Sequence, residues 1–216
     1  MKKHLTEIVF ILDRSGSMAG LEDDTIGGFN ALIAKQKQEA GEALVSTFLF
    51  DNESQLIHDR LDIRQVPPLT RQEYYVRGCT ALLDTVGKAV EHLSFIHKYA
   101  REEDRPEKTL FVITTDGMEN ASREYTYDRV KRMIHRQQEK YGWEFIFLGA
   151  NIDAAREAAR FGIAADRAAN YHADRLGTDA IYGAMSDAVS QVRCCQAPLN
   201  ANWKARVDAD YNARKK

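Results

Sequence analysis

The stretch "EIVFILDRSGS", Glu7 to Ser17, sets an unbroken apolar run against an abrupt polar loop. A strand with one wet face alternates apolar and polar residues, whereas a strand covered on both faces stays apolar along its length. The run Ile8 to Leu12 therefore predicts an inner strand of a mostly parallel sheet with helices on both sides. Beyond it, Asp13, Ser15 and Ser17 fall at every second position. In an extended turn such side chains point the same way, and Gly16 supplies the backbone freedom of a tight loop.

Three further runs share the pattern: "LVSTFLF" (Leu44 to Phe50), "TLFVIT" (Thr109 to Thr114) and "WEFIFLG" (Trp143 to Gly149). "SQLIHDRLDI" (Ser54 to Ile63) alternates instead and follows the turn residues Asp51, Asn52, Glu53 and Ser54, which predicts a hairpin ending in an antiparallel edge strand. Helical spacing links Ile26, Phe29, Leu32 and Ile33, and again Leu82, Leu83, Val86, Val90, Leu93 and Ile96. More helices are expected near Tyr127 to Tyr141, Asp153 to Phe161 and Thr178 to Val192. The alternation implies an α/β layer fold with helices on both faces of a mixed central sheet. Gly27 and Gly28, inside the first helical pattern, are expected to let that helix approach the sheet closely.

The chain has 216 residues, 44% of them hydrophobic and 29% charged, which suits one soluble domain with a sizeable core. Thirty Lys and Arg against 32 Asp and Glu leave a net charge of −2, so no global basic field speaks for nucleic acid. The apolar run after the basic start stops at Asp13, too short for a signal peptide or membrane span, and the expectation is a cytoplasmic protein without membrane contact. Cys79, Cys194 and Cys195 form neither a disulfide framework nor a zinc pattern. His4, His58, His92, His97, His135 and His172 are scattered without ligand spacing, which argues against a zinc enzyme. "REEDRPEK", Arg101 to Lys108, reads as a charged surface loop.

In doubly wound sheets, ligands bind outside the carboxyl ends of the strands. Three such exits carry oxygen donors: "LDRSGSM" with Asp13, Ser15 and Ser17; "RGCTALLDTVG" with Thr80; and "VITTDGMENAS" with Asp116. Two carboxylates and three hydroxyls form an all-oxygen set, which suits a hard divalent cation, Mg²⁺ first. The two negative charges balance one ion, and with no third carboxylate in this donor set a coordination position is left for water or for an Asp or Glu from a partner. Taken singly, Ser17 or Asp13 could instead cap a helix, and Thr80 could cap the helix after it. Asp84 is expected to hold backbone donors rather than metal.

Asp13-Arg14-Ser15-Gly16-Ser17, Thr80 and Asp116, in this order, resemble the metal-ion-dependent adhesion site of von Willebrand factor A domains. The resemblance covers roughly Glu7 to Val192. It implies a doubly wound sheet of five parallel strands with one antiparallel edge strand, and protein binding through Mg²⁺, with Mn²⁺ or Ca²⁺ as alternatives. The domain is expected over 1–195, and 196–216, where apolar periodicity is lost, reads as a tail that is partly helical from about Trp203. Intracellular proteins of this type act in multiprotein assemblies, often beside AAA+ ATPases, or in tellurite-resistance-type gene clusters, and the chain is expected to be an interaction module rather than an enzyme. The competing expectation is a Mg²⁺-dependent phosphoester hydrolase, for which Glu119 is the one nearby base. Met18 and Met118 are expected on loops bordering the ion, each either tucked inward as a loop anchor or part of an apolar collar with Arg14, Arg77 and Arg123 outside it to steer an acidic partner.

Overall fold

The computed structural model describes residues 1–194 and 198–214; Cys195 and the expected boundary between domain and tail lie outside the described residues. Six strands form one sheet in the order β3-β2-β1-β4-β5-β6. They are β1 (Lys2–Asp13), β2 (Glu42–Phe50), β3 (Ser54–Asp62), β4 (Pro106–Thr115), β5 (Glu144–Ala150) and β6 (Ala168–Tyr171). Only β3 runs antiparallel, against β2, and the remaining pairs are parallel. Residue by residue reading finds four of the five parallel strands. It misses β6, because "AANY" is four residues long and carries no β-branched side chain to mark it.

Alternation along β1 feeds two cores. Ile8, Phe10 and Leu12 face α1 (Glu22–Gln36) and α5 (Arg175–Cys194), while Val9 and Ile11 face α2 (Leu82–Tyr99), α3 (Tyr127–Tyr141) and α4 (Ala154–Phe161). A strand that must satisfy both faces has no room for polar positions, which explains its sequence. Local signals end the helices: Thr126 caps α3 through the Arg129 N–H at 3.3 Å, Asp153 caps α4 through the Arg156 N–H at 3.0 Å, and both helices stop at left-handed glycines, Gly142 and Gly162.

The segment after 198 folds back onto the body. A turn at Ala201–Lys204 leads into α6 (Ala205–Ala213), Leu199, Trp203 and Val207 are buried in the first core, and the Trp203 indole donates to the Asp166 carbonyl at 2.9 Å. Among the described residues, no helix is long and apolar enough to cross a membrane.

The glycine pair in α1 does not serve the sheet. A Cβ on Gly28 would sit 2.3 Å from the Tyr182 ring of α5, and one on Gly27 would meet nothing. Gly28 instead brings two helices together, and Gly28→Ala is expected to cost about 1–3 kcal/mol through overpacking. An unchanged denaturation midpoint in that variant would show that the ring can simply move aside.

Candidate metal centre

The chain order reverses between β1 and β4: β2 lies to one side of β1, while β4 lies on the other. That switch point opens a crevice at the carboxyl ends of two adjacent strands. Asp13 ends β1 and Asp116 follows β4 directly, so the topology alone places both carboxylates at the crevice.

Hydrogen bonds fix the first loop. Asp13 accepts from the Ser15 N–H at 2.7 Å through Oδ1 and from the Thr115 hydroxyl at 2.7 Å through Oδ2. The Ser15 and Ser17 hydroxyl oxygens lie 3.1 Å apart, and Ser17 donates to Asp116 Oδ1 at 2.6 Å. The site for a Cβ on Gly117 lies 3.6 Å from both Ser17 Oγ and Thr80 Oγ1, which brings the third loop to the same place. All five residues expected as ligands, Asp13, Ser15, Ser17, Thr80 and Asp116, thus converge.

Neither serine nor Thr80 works as a cap. The turn at Gly16–Met18 and helix α1 start without side-chain caps, and α2 is capped from outside, by Glu119 Oε2 accepting the Leu83 N–H at 2.8 Å. The other Glu119 oxygen takes the Ala121 and Ser122 N–H groups. Asn120 holds Thr80 from both sides: its Oδ1 accepts the Thr80 N–H at 2.9 Å and its own N–H reaches the Thr80 carbonyl at 3.1 Å. Asp84 accepts the N–H groups of Arg123, Glu124 and Tyr125, each at 2.9 Å, and so ties the loop after β4 to α2.

The residues suit a hard cation. Asp116 Oδ2 is buried and has no hydrogen-bond partner, while its twin Oδ1 is engaged. An orphan carboxylate oxygen is costly to desolvate and calls for a positive partner. Burial, aided by the charge of Asp116, lifts the Asp13 carboxyl to about 6 against the hydrogen bonds from Ser15 and Thr115. Burial also raises Asp116, opposed by Ser17. Among the described residues no three His, Cys, Asp or Glu side chains gather to hold a metal, so a cation here would need the hydroxyls as ligands. Asp13, Ser15, Thr80 and Asp116 are buried whereas Ser17 is exposed, which leaves the crevice open to solvent on that side.

A pH dependence follows. An acid whose folded value lies above its unfolded one holds its proton longer in the folded state, so stability is greatest at low pH and falls as pH rises through the folded value. For Asp13 the window runs from about 4 to about 6, and the loss approaches roughly 3 kcal/mol. In chelator, the thermal midpoint of the wild type is expected to drop across this window relative to that of Asp13→Asn. Parallel curves for the two proteins would rule the buried charge out.

At the rim one expectation is corrected and one pair of alternatives is decided. Arg14 lies at 0% exposure and cannot meet a partner: its Nε donates to Asp51 at 2.8 Å and its Nη1 to Gln55 at 2.8 Å and the Glu73 carbonyl at 3.2 Å. Met18 is likewise buried, anchoring its loop, whereas Met118 is 59% exposed. Arg77 is half-exposed and shares Asp51 at 2.7 Å, and Tyr75 lies against both guanidinium groups. Burial would raise the Asp51 carboxyl, but the bonds from Arg77, the Glu53 N–H and Arg14 outweigh it and hold it below the ordinary range.

This Arg14–Asp51–Arg77 lock escapes sequence reading, because nothing in the chain order joins positions 14, 51 and 77. Backbone bonds extend it: Arg77 N–H to the Arg14 carbonyl and Gly16 N–H to the Gly78 carbonyl, both at 3.0 Å. Gly78 has φ +69, and a Cβ there would lie 2.5 Å from Asn52 Oδ1, so this position needs glycine.

The six-stranded sheet, its single antiparallel edge strand and the helices on both faces are the fold of von Willebrand factor A domains. Solved structures that share it include proximal thread matrix protein 1 from the mussel byssus with a zinc-occupied metal-ion-dependent adhesion site (13% identity over 87% of this chain and 46% of that one, TM-score 0.56). Two others are the ArnB paralog VWA2 from Sulfolobus acidocaldarius (17% identity, 87% and 45% covered, TM-score 0.52) and a von Willebrand factor type A protein from Catenulispora acidiphila (13% identity, 86% and 42% covered, TM-score 0.57). The chain spans less than half the length of these three proteins. No protein-family profile and no curated protein matches it.

Proposed function

We infer that the chain is a divalent-cation-dependent protein-interaction module. Asp13, Ser15, Ser17, Thr80 and Asp116 hold Mg²⁺, with Mn²⁺ or Ca²⁺ as substitutes, and an Asp or Glu of a partner protein completes the coordination. The observation that carries this reading is the buried, unpartnered Asp116 Oδ2 beside four other converging oxygen ligands. When bound, the ion supplies a positive charge with an open position for a carboxylate. The residues of the chain do the rest. Thr115 and the Ser15 N–H orient Asp13, Asn120 holds Thr80 in place, and exposed Ser17 marks the side from which a partner enters. The zinc in the mussel protein's equivalent site supports divalent binding here.

The partner is proposed to belong to a cytoplasmic multiprotein assembly, an AAA+ ATPase complex being the type to try first. Hydrolysis needs a base beside the ion. Glu119 has both oxygens committed to backbone donors, so we read the module as non-catalytic. The chain immobilised in Mg²⁺ is expected to retain a protein from its own cells that chelator releases and Mg²⁺ restores. Retention indifferent to chelator would sink the reading, as would Mg²⁺-dependent turnover of a phosphoester.

A further inference from the structure

At the opposite end of the sheet, α2 and α3 part over the start of β4 and leave a cavity of about 500 Å³. Nothing in the metal reading uses it, and it lies roughly 30 Å from Asp116 along β4 by strand rise. Its volume falls within the range of about 300 to 1,000 Å³ usual for small-molecule sites.

The walls are apolar. Val90 and Phe95 come from α2, Met133 from α3, Pro106 from β4, and Trp143 closes the inner end, stacked on Phe111 at 5.3 Å. The mouth keeps aromatic surface exposed: Phe95 is 64% and Tyr141 49% accessible. Large exposed apolar side chains are scattered singly on most surfaces, and their gathering around one cavity is the informative pattern.

The charges around the cavity are unbalanced. Lys98, Arg105, Arg129 and Arg136 line it against Glu91 and Glu107. Both carboxylates are already committed: Glu91 accepts the Tyr125 hydroxyl at 2.5 Å and lies 3.7 Å from Arg129, and Glu107 accepts the His4 N–H at 2.8 Å. Arg105 donates to the carbonyls of Ala100 and Lys98 and meets no carboxylate, and the Arg136 guanidinium has no hydrogen bond or ion pair among the described residues. Two guanidinium groups thus stand uncompensated beside an apolar chamber, and guanidinium is the side chain best shaped to fork a carboxylate, sulfonate or phosphate.

We propose that this cavity binds a small organic anion with an apolar or aromatic body, the body lying against Trp143, Met133 and Phe95 and the anionic head meeting Arg136 and Arg105. Anilinonaphthalene sulfonate has this form and serves as the probe, with dodecanoate and dodecyltrimethylammonium as competitors of equal chain length and opposite charge. Titration of the chelated protein is expected to give one saturable site that dodecanoate empties and the cationic amphiphile does not. Phe95→Asp and Arg136→Glu change exposed side chains, so both fold, and each is expected to raise the dissociation constant about tenfold or more. Leu176→Asp, at another exposed apolar residue, is expected to leave it unchanged. Absence of saturation, equal displacement by both amphiphiles, or equal loss in Leu176→Asp would overturn the proposal.

Discussion

Mg²⁺ is expected to raise the thermal midpoint of the wild type and Asp116→Ala to abolish that rise, with metal affinity lowered by more than about 100-fold. Even residues that only orient a metal's ligands cost 10- to 100-fold when lost, and Asp116 is proposed as a ligand itself. Asp13→Ala should behave alike, since each removes one of the two charges that balance the ion. Both side chains are buried, so survival of the fold does not follow from an exposed position. It follows from what each carboxylate costs when no metal is present: Asp116 Oδ2 has no partner, and burial holds Asp13 above the ordinary carboxylate range. In chelator the variants are therefore expected to be as stable as the wild type or more so. Calorimetric titration with Mg²⁺ and melting in chelator test both halves. An Asp116→Ala protein that still binds Mg²⁺ with wild-type affinity removes the site, and one that melts lower in chelator removes the argument about cost.

The second large effect lies beside the centre. Asp51→Ala is expected to destabilise the protein by about 3–5 kcal/mol, because it leaves Arg14 buried without its countercharge. Arg14 is fully buried and its Nη2 has no partner even in the intact protein, so nothing nearby can take up the loss. Gln55 and the Glu73 carbonyl remain, but neither carries charge. Arg77 is half-exposed and can turn to water. Replacing Arg14 with methionine in the Asp51→Ala background should recover much of the stability, since no lone buried charge then remains. Urea denaturation distinguishes the cases. A cost below about 1 kcal/mol for Asp51→Ala would mean that water reaches Arg14.

What the sequence discloses depends on whether a residue's environment is local. The strands covered on both faces announce themselves, since an apolar run such as "FVIT" has few other homes, and Asp13, Thr80 and Asp116 stand where such runs end or helices begin. Strand β6 stays hidden because its place is set by β5 and by the helices around it rather than by its own four residues. Arg14 misleads for a related reason. A charged side chain in a loop reads as exposed, and only the fold reveals that Asp51 and Gln55 wait for it across the sheet. Met18 and Met118 have equivalent surroundings in sequence, yet one is buried and the other is not. Cavities between helices, such as the one at Trp143, leave no periodic trace at all.

The placement of β1 between β2 and β4 bears on the order in which the chain can fold. Pairing of β2 with β3 closes a tight turn and pairing of β1 with β2 spans 37 residues across α1, so both join partners nearer in the chain than β1 and β4 are. One edge of β1 then stays bare until β4 has been made. The bond from Thr115 to Asp13 spans 102 residues and that from Ser17 to Asp116 spans 99. Contacts of such separation are entropically expensive and form late. Asp13 accordingly waits for Thr115 while another 102 residues are made. The cation affinity proposed for this crevice is therefore expected only once the central strand has its second neighbour, and a shortened chain that keeps the "DRSGS" loop but lacks β4 should hold the motif without the centre.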